Sequence, residues 1–472
     1  MTPEEFRAAG HALIDWISDY METVEQHPVL SQVKPGDIAA LLPTSPPSAP
    51  EPFSDVLADL DRVIVPGLTH WQHPSFFAYF PANSSYSAIL GDLASTGVGV
   101  NGMLWATSPA ATEVETVVID WLAQLLDLPA RFRVGGDGGG VIQGSASEAT
   151  LSAILAARER ATVGATNHTG TLGNLVAYAT SQTHSSIEKG LRIAGIGSDN
   201  LRVIPIDDSF AMVPSALAAQ IAIDKADGKV PFIVVASAGT TSSLAFDPVD
   251  AIGDICQRER VWLHVDGAMS GIAALCPEHR WVLDGLDKAD SFCTNPHKWM
   301  GVTFDCDAMW VADRAALIGA LSILPEYLRT AAAEAGAVID YRDWGIPLGR
   351  RFRALKLWFN LRLDGVEPVQ AMIREHVAAA AWLVEQVGAD DRFELSAPPA
   401  LNLVCINHVA GDAATDELIN AANATGQALF TRTVLNGRSV LRFCIGAQST
   451  RQRHVEAGWQ LLSTLAPAVR HH

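Results

Sequence analysis

The chain has 472 residues, 49% of them hydrophobic, enough for a large core and more than one domain. Only 18% are charged, and a net charge of −19 argues against nucleic acid or an anionic membrane surface as a partner. The longest apolar runs, such as Phe232 to Ala238, stop well short of the roughly 20 residues that span a bilayer, and the acidic start Met1-Thr2-Pro3-Glu4-Glu5 does not read as a secretory signal. Cys256, Cys276, Cys293, Cys306, Cys405 and Cys444 are scattered without a CxxC, a pattern of reduced thiols in a cytoplasmic protein.

In chain order, Phe6, Leu13, Ile14, Ile17 and Met21 fall at helical spacing and predict a helix from Pro3 to about Val24. Pro43 to Pro52 is a proline-rich, extended connector, followed by an amphipathic helix from Phe53 to about Val65. These pieces are too small to fold alone, so residues 1–85 read as an arm packed on something else. Thr69 to Pro81 (THWQHPSFFAYFP) is dense in aromatics, which suits a core, a pocket lining or an interface. His70 and His73 have the spacing of a metal pair, but no acidic third ligand is apparent and no metal is expected.

From about Thr112 to Leu126 the spacing marks a helix with one buried face. Gly135 to Gly140 is glycine-rich but lacks GxxxxGKS, and it runs into Val141-Ile142-Gln143-Gly144-Ser145-Ala146-Ser147-Glu148. There Gly144 permits a turn, Ser145 and Ser147 offer hydroxyls, and a helix from about Glu148 to Arg160 would point its first amides at an anion such as phosphate. A plain serine N-cap is the alternative. Strands follow at Leu175–Ala179, Leu201–Ile206, Phe232–Ala236 and Val261–Val265, alternating with helices in an α/β pattern with a largely parallel sheet. His184, Thr241 and Asp266 fall just past strand ends, so the sheet would gather them at one edge.

The segment Ser291-Phe292-Cys293-Thr294-Asn295-Pro296-His297-Lys298-Trp299 sets a lysine among apolar and aromatic neighbours behind a proline. A desolvated lysine amine forms an imine with an aldehyde. Paired with a strand-end carboxylate such as Asp266, it is the protein's share of pyridoxal phosphate (PLP) chemistry. Arg329 to Val338 is Ala/Gly-rich and reads as a mobile lid. Gly349-Arg350-Arg351-Phe352-Arg353 reads as a helix start with ion-paired arginines, and Cys306 as a buried, inert thiol. From about Glu367 helices alternate with short strands, Asn402–Ile406 and Ser439–Cys444, in a smaller α+β domain.

Together these segments resemble the aromatic-L-amino-acid decarboxylases, group II PLP-dependent decarboxylases of the aspartate-aminotransferase fold (fold type I). THW with FFAYFP, GVIQGSASEAT, THSSIEKG, HVDGA, NPHKW, FDCDAMW and IPLGRRFR stand in the family's order and spacing, over nearly the whole chain. The resemblance implies an N-terminal helical dimerisation arm (1–85), a large PLP-binding domain (86–355) and a C-terminal small domain (356–472). It also implies an obligate homodimer acting on a small aromatic amino acid.

By the same resemblance Lys298 carries the cofactor as a Schiff base and Asp266 keeps the pyridine nitrogen protonated. His184 stacks on one ring face, Ala268 packs on the other, and Thr241 sits near the ring hydroxyl. Ser145, Ala146, Ser147 and Asn295 hold the phosphate, and His297 lies beside the substrate. Phe80, Pro81, Leu348 and Gly349 complete the neighbouring subunit's site, and Tyr327 is the lid tyrosine that protonates the product carbon. Trp71, Tyr79, Phe80, Pro81, Ala82, Asn101, Met103, His184, His297 and Gly349 line the substrate pocket. Asn101 and Met103 depart from the aliphatic residue and phenylalanine of well-known animal members, and Ala82 replaces a threonine. Gly349 matches members that accept indoles, so tryptophan is expected among the substrates. The expected reaction releases the arylalkylamine and CO2. The alternatives are an aromatic aldehyde synthase, in relatives that differ at the lid tyrosine or the stacking histidine, and an inactive scaffold, against which the intact Lys298, Asp266 and His184 argue.

Overall fold

The computed structural model describes residues 1–323 and 337–467, which fall into two compact units. One comprises Ala82–Arg374 with Ala397–Leu401; the other joins Met1–Pro81 to Glu375–Ser396 and the chain from Asn402 onward.

The larger unit is built on seven strands: β1 (Gly139–Gln143), β2 (Leu175–Thr180), β3 (Leu201–Ile204), β4 (Val230–Ser237), β5 (Trp262–Asp266), β6 (Ser291–Thr294) and β7 (Asp307–Val311). Their order across the sheet is β1-β7-β6-β5-β4-β2-β3. Pairs among β2 to β6 are parallel, while β7 runs antiparallel to both of its neighbours, β1 and β6. Continuous apolar runs such as Phe232–Ala236 suit strands buried on both faces. The helix Ala146–Thr162 covers one face, its Ala149, Ala153, Ile154 and Ala157 packing with Val141, Ile233, Trp262, Cys293 and Met309. On the other face Phe292 stacks on Trp310, with ring centroids 5.7 Å apart. Gly140 leaves just enough room there for Ile119 of the helix Pro109–Leu125: an added Cβ would sit 2.3 Å from it.

The smaller unit carries an antiparallel sheet of β8 (Phe393–Leu395), β9 (Leu403–His408), β10 (Thr431–Leu435) and β11 (Arg438–Cys444), in the order β10-β11-β9-β8. Its core collects Phe77, Phe393, Phe430, Phe443 and Trp459. The aromatic stretch is therefore split. Phe76, Phe77 and Ala78 are fully buried, and the Phe77 N–H donates to Leu429 O (2.9 Å). Trp71 and Tyr79 are exposed and stacked, 5.6 Å apart. The helix Pro3–Thr23 opens with a Thr2–Glu5 capping box and has no buried residue.

Several boundaries differ from expectation. The helix from Phe53 stops at Asp59 and loosens into a wider turn, Leu60–Ile64, because Pro66 cannot sit inside a regular helix. The helix expected from Glu148 begins two residues earlier, at Ala146, because Ser145 caps it. Asp266 is the last residue of β5 rather than just beyond it. The arginines before the helix Ala354–Leu363 are ion-paired as expected: Arg350 with Glu115, Arg351 with Asp92 and Arg353 with Asp305. Among the described residues no helix is long and apolar enough to cross a membrane.

Candidate active site

Strands β1, β2, β4, β5 and β6 all point their C-terminal ends to one edge of the large sheet, since β1 and β6 are both antiparallel to β7. The residues that follow those ends are therefore brought together: Ser145 after β1, His184 after β2, Thr241 after β4, Asp266 closing β5, and Asn295 to Lys298 after β6. Asp266 is buried, and one of its oxygens accepts the Ala268 N–H at 3.0 Å.

Lys298 sits in a tight turn. Its N–H donates to Asn295 O (2.9 Å), Asn295 N–H donates to Ala268 O (3.0 Å), and the Asn83 side chain donates to Lys298 O (2.6 Å). Asn83 also donates its N–H to His297 O (2.9 Å), so it pins the turn from outside. Sequence reasoning missed Asn83, because nothing in its local pattern points to a contact more than 200 residues away. It also missed Lys356, which is fully buried 3.8 Å from Asp92 and 3.9 Å from Asp305.

Both histidines are neutral, with the proton on Nε2. His297 Nδ1 accepts the Cys306 N–H (2.9 Å), so Nδ1 carries no proton. Burial, reinforced by the Lys298 charge, lowers its pKa to about 3. His184 Nδ1 accepts the Ser186 N–H (3.2 Å) and lies 2.8 Å from Ser186 Oγ. Desolvation holds its pKa below the ordinary 6.5, with Asp266 pulling up and Lys298 pushing down. His184 thus feels the fields of both Asp266 and Lys298. Cys306 is buried, and desolvation raises its thiol to about 12, so it is no nucleophile.

At the helix Ala146–Thr162, Ser145 Oγ accepts the Glu148 N–H (3.4 Å), while Glu148 reaches back to the Gly144 N–H (2.8 Å). A Cβ on Gly144 would meet the Glu148 and Asp305 carboxylates at 2.9 and 3.1 Å, so a larger residue there would push those side chains aside. The Ser145 hydroxyl proton, the Ser147 hydroxyl and the first helix amides remain for an anion.

Asn101, Met103 and Gly349 share one corner: Asn101 Oδ1 accepts the Met103 N–H (3.2 Å) and the Arg350 N–H (3.0 Å). Leu348 and Gly349 are exposed, and Thr241, Ala268 and Ala82 are partly so. In the smaller unit the Arg442 guanidinium lies 5.2 Å from the Phe80 ring centroid and donates to Tyr79 O (3.3 Å), and Pro81 is buried. His70 Nδ1 and Tyr20 Oη are 2.8 Å apart, and His73 Nδ1 accepts the Ser75 N–H. Tyr327, and all of the expected lid except Ala337 and Val338, lie outside the described residues.

The family model for a pyridoxal-dependent decarboxylase conserved domain matches residues 35–409. This chain belongs to the pyridoxal-dependent decarboxylases. Among its relatives, Tryptophan decarboxylase 2 of Oryza sativa subsp. japonica is 44% identical over 99% of this chain and 96% of that one. Phenylacetaldehyde synthase of Arabidopsis thaliana is 45% identical over 100% of this chain and 98% of that one. A crystal structure of Oryza sativa TDC with PLP and tryptamine superposes with a TM-score of 0.95 at 41% identity, covering 98% of both chains. The decarboxylase is thus a PLP-dependent carboxy-lyase of fold type I.

Its residues fit the cofactor. A buried strand-end carboxylate and a lysine, both within electrostatic reach of His184, a serine-capped helix start and the buried Asn295, whose Oδ1 has no partner among the described residues, are the groups that a phosphorylated pyridine aldehyde needs.

Proposed function

We infer that this decarboxylase releases CO2 from an aromatic L-amino acid and yields the arylalkylamine, using Lys298, Asp266 and His184 at the edge of the large sheet. The placement of Asp266 carries the reading. It closes β5, buried and tethered by the Ala268 N–H, and its charge reaches His184, which also feels the charge of Lys298. Lys298 would hold the aldehyde of PLP, Asp266 its ring nitrogen, and Ser145, Ala146, Ser147 and Asn295 its phosphate. Thr241 would lie at the ring hydroxyl, with His184 and Ala268 on opposite faces. When bound, the cofactor supplies a protonated ring that takes up the electron pair left by the departing carboxylate.

The chain's own residues do the rest. The Asp266 carboxylate holds a proton at the ring nitrogen and keeps it there. Neutral His184 offers a flat, uncharged ring that excludes water without competing for that proton. His297 keeps a proton on Nε2 and so can donate a hydrogen bond to the substrate. Tyr327 is assigned delivery of the proton to the α-carbon. Asn101, Met103, Ala82 and Gly349 in the larger unit, and Trp71, Tyr79, Phe80 and Pro81 in the smaller one, are the proposed substrate-binding residues, with glycine at 349 as in members that accept indoles. Leu348 and Gly349, with Phe80 and Pro81, would serve the neighbouring subunit's site.

A homodimer is part of the reading. The helix Pro3–Thr23 has no fully buried residue, Phe6 is 65% exposed, and Phe304 beside the lysine turn is 64% exposed. Single helices with bare apolar faces are held by a partner surface. A cytoplasmic location is supported by six free, buried cysteines.

The second reading, an aromatic aldehyde synthase, is favoured by the 45% identity to the Arabidopsis thaliana enzyme. One assay separates the two. The purified holoenzyme is given tryptophan, tyrosine, phenylalanine, DOPA and histidine, while amine, aldehyde, CO2 and oxygen uptake are followed. Amine with CO2 and no oxygen uptake is expected; aldehyde and peroxide would overturn the main reading. The Lys298→Ala variant should lose turnover, and parental activity in it would remove Lys298 from its role.

A further inference from the structure

Asp307 opens β7 and is fully buried, yet neither carboxyl oxygen has a hydrogen-bond partner among the described residues. An ionised carboxylate in that position would lack every compensation that burial demands, so the group stands as a neutral acid with one O–H to donate. Its surroundings agree: desolvation first, then Asp266 and Glu148, push its pKa well above the carboxylate range, against the pull of Lys298.

The register fixes where the group sits. Asp307 pairs with Gln143 of β1, whose chain continues through Gly144 to the capping Ser145. On its other side β6 pairs Thr294 with Ala308, so Asn295 is the next residue past that ladder, level with Asp307. Residues opposite each other share a sheet face, and so do residues two apart. Met309, Cys293 and Asp266 form one row on this face, with Asp307 one step along from Met309 toward the strand ends. The helix Ala146–Thr162 covers the face, and Glu148 in its first turn is one of the groups whose field reaches Asp307. Two buried groups without partners among the described residues, the Asp307 carboxyl and Asn295 Oδ1, therefore lie on neighbouring strand ends where the serine-capped helix begins. The sequence reading used Asn295 and left Asp307 inside a strand motif.

We propose that Asp307 is a further cofactor-binding residue: a neutral carboxylic acid that donates its proton in a hydrogen bond to the phosphate of PLP. The proposal rests on the phosphate being held at Ser145–Ser147, as inferred above. A carboxylic acid facing a phosphate dianion makes a short, charge-assisted bond, while a carboxylate there would repel it. The acid is therefore kept protonated both by its burial and by its ligand.

The test compares PLP with pyridoxal, which lacks the phosphate, in binding to the apoenzyme followed by quenching of tryptophan fluorescence. The parent should prefer PLP. Asp307→Ala should weaken PLP by about 10- to 100-fold while leaving pyridoxal unchanged, the loss of one hydrogen bond to a charged group. Asp307→Asn, whose amide still donates, should recover most of the affinity. Asp307→Val fills the space without a donor and replaces the alanine variant if that fails to fold. An Asp307→Ala or Asp307→Val protein with the parent's PLP-to-pyridoxal ratio overturns the proposal, whether both affinities fall or neither does. A parent that binds the two equally would instead overturn the phosphate site itself, and the proposal with it.

Discussion

Replacing Arg350 by methionine tests how the substrate corner is held to the sheet. Arg350 Nη2 donates to Glu115 Oε1 (2.7 Å) and to Ile142 O (2.9 Å), and the guanidinium lies 4.9 Å from the Tyr341 ring centroid. Glu115 Oε1 also accepts the Ile142 N–H at 2.8 Å. Both side chains are almost wholly buried, at 6% and 4% exposure. One ion pair thus ties the helix Pro109–Leu125, β1 and the loop carrying Gly349. Methionine fills most of the arginine volume, so little of the effect comes from a cavity. It leaves Glu115 charged and dry with a single backbone donor, at a cost of about 3–5 kcal/mol.

The assay is equilibrium urea unfolding of the holoenzyme at pH 7, followed by circular dichroism and by PLP release. The Glu115→Gln/Arg350→Met pair removes the stranded charge and should regain a large part of the loss, a coupling of ~2 kcal/mol or more. Because the Arg350 N–H and O also bond Asn101 Oδ1 and the Gly102 N–H, the single variant should raise KM more than it lowers kcat. A loss below ~1 kcal/mol for Arg350→Met, or a double variant no better than the single, would refute the account.

Asp266→Asn should bind PLP more weakly and lose several orders of magnitude in kcat, since an amide cannot hold the ring proton; an unimpaired variant would remove the electron-sink argument. Tyr327→Phe should still release CO2 but turn from amine to aldehyde, ammonia and peroxide, with oxygen uptake in an electrode cell. Normal amine production would shift the proton donor elsewhere, with His297 the first suspect. Gly349→Ser should fold, because a Cβ there meets only Asn101 Nδ2 at an ordinary 3.8 Å. It should shift the ratio of kcat/KM for tryptophan over tyrosine downward by about 10- to 200-fold, and an unchanged ratio would take Gly349 out of the pocket.

Much of this was legible because the chemistry sits at strand ends. A run such as Val261-Trp262-Leu263-His264-Val265-Asp266 announces a buried strand and its terminal carboxylate in a few letters. Gly144-Ser145-Ala146-Ser147 likewise announces a helix start that can face an anion. The arginines at 350, 351 and 353 read correctly as ion-paired because an acidic chain offers carboxylates in plenty. What sequence could not show is pairing at a distance. Nothing near Asn83 says that its amide will hold the Lys298 turn, and nothing near Lys356 says that it will be sealed between Asp92 and Asp305. The aromatic stretch 69–81 stayed open between core and pocket because alternation cannot say which of two faces meets a partner. In the structure Phe76 and Phe77 turn into the core, while Trp71 and Tyr79 are exposed. Asp307 escaped notice because a carboxylate in a strand of apolar residues looks like an edge charge until the strand proves central.

The reversed strand β7 has a consequence for how the chain is made. Among the described residues β1 has no neighbour in the sheet other than β7, so Gly139 must wait for Val311. During vectorial synthesis β2 to β6 can assemble as they emerge, each parallel strand docking beside one already present. The glycine-rich β1 can meet the helix Pro109–Leu125 early, but it gains its strand ladder only after the ribosome has passed the lysine turn and β7 has threaded between β1 and β6. The serine turn after β1 and the lysine turn after β6 are therefore joined through β7 in a single late event. A nascent or truncated chain ending before Asp307 contains most of the proposed cofactor ligands and still lacks the strand that joins β1 to β6.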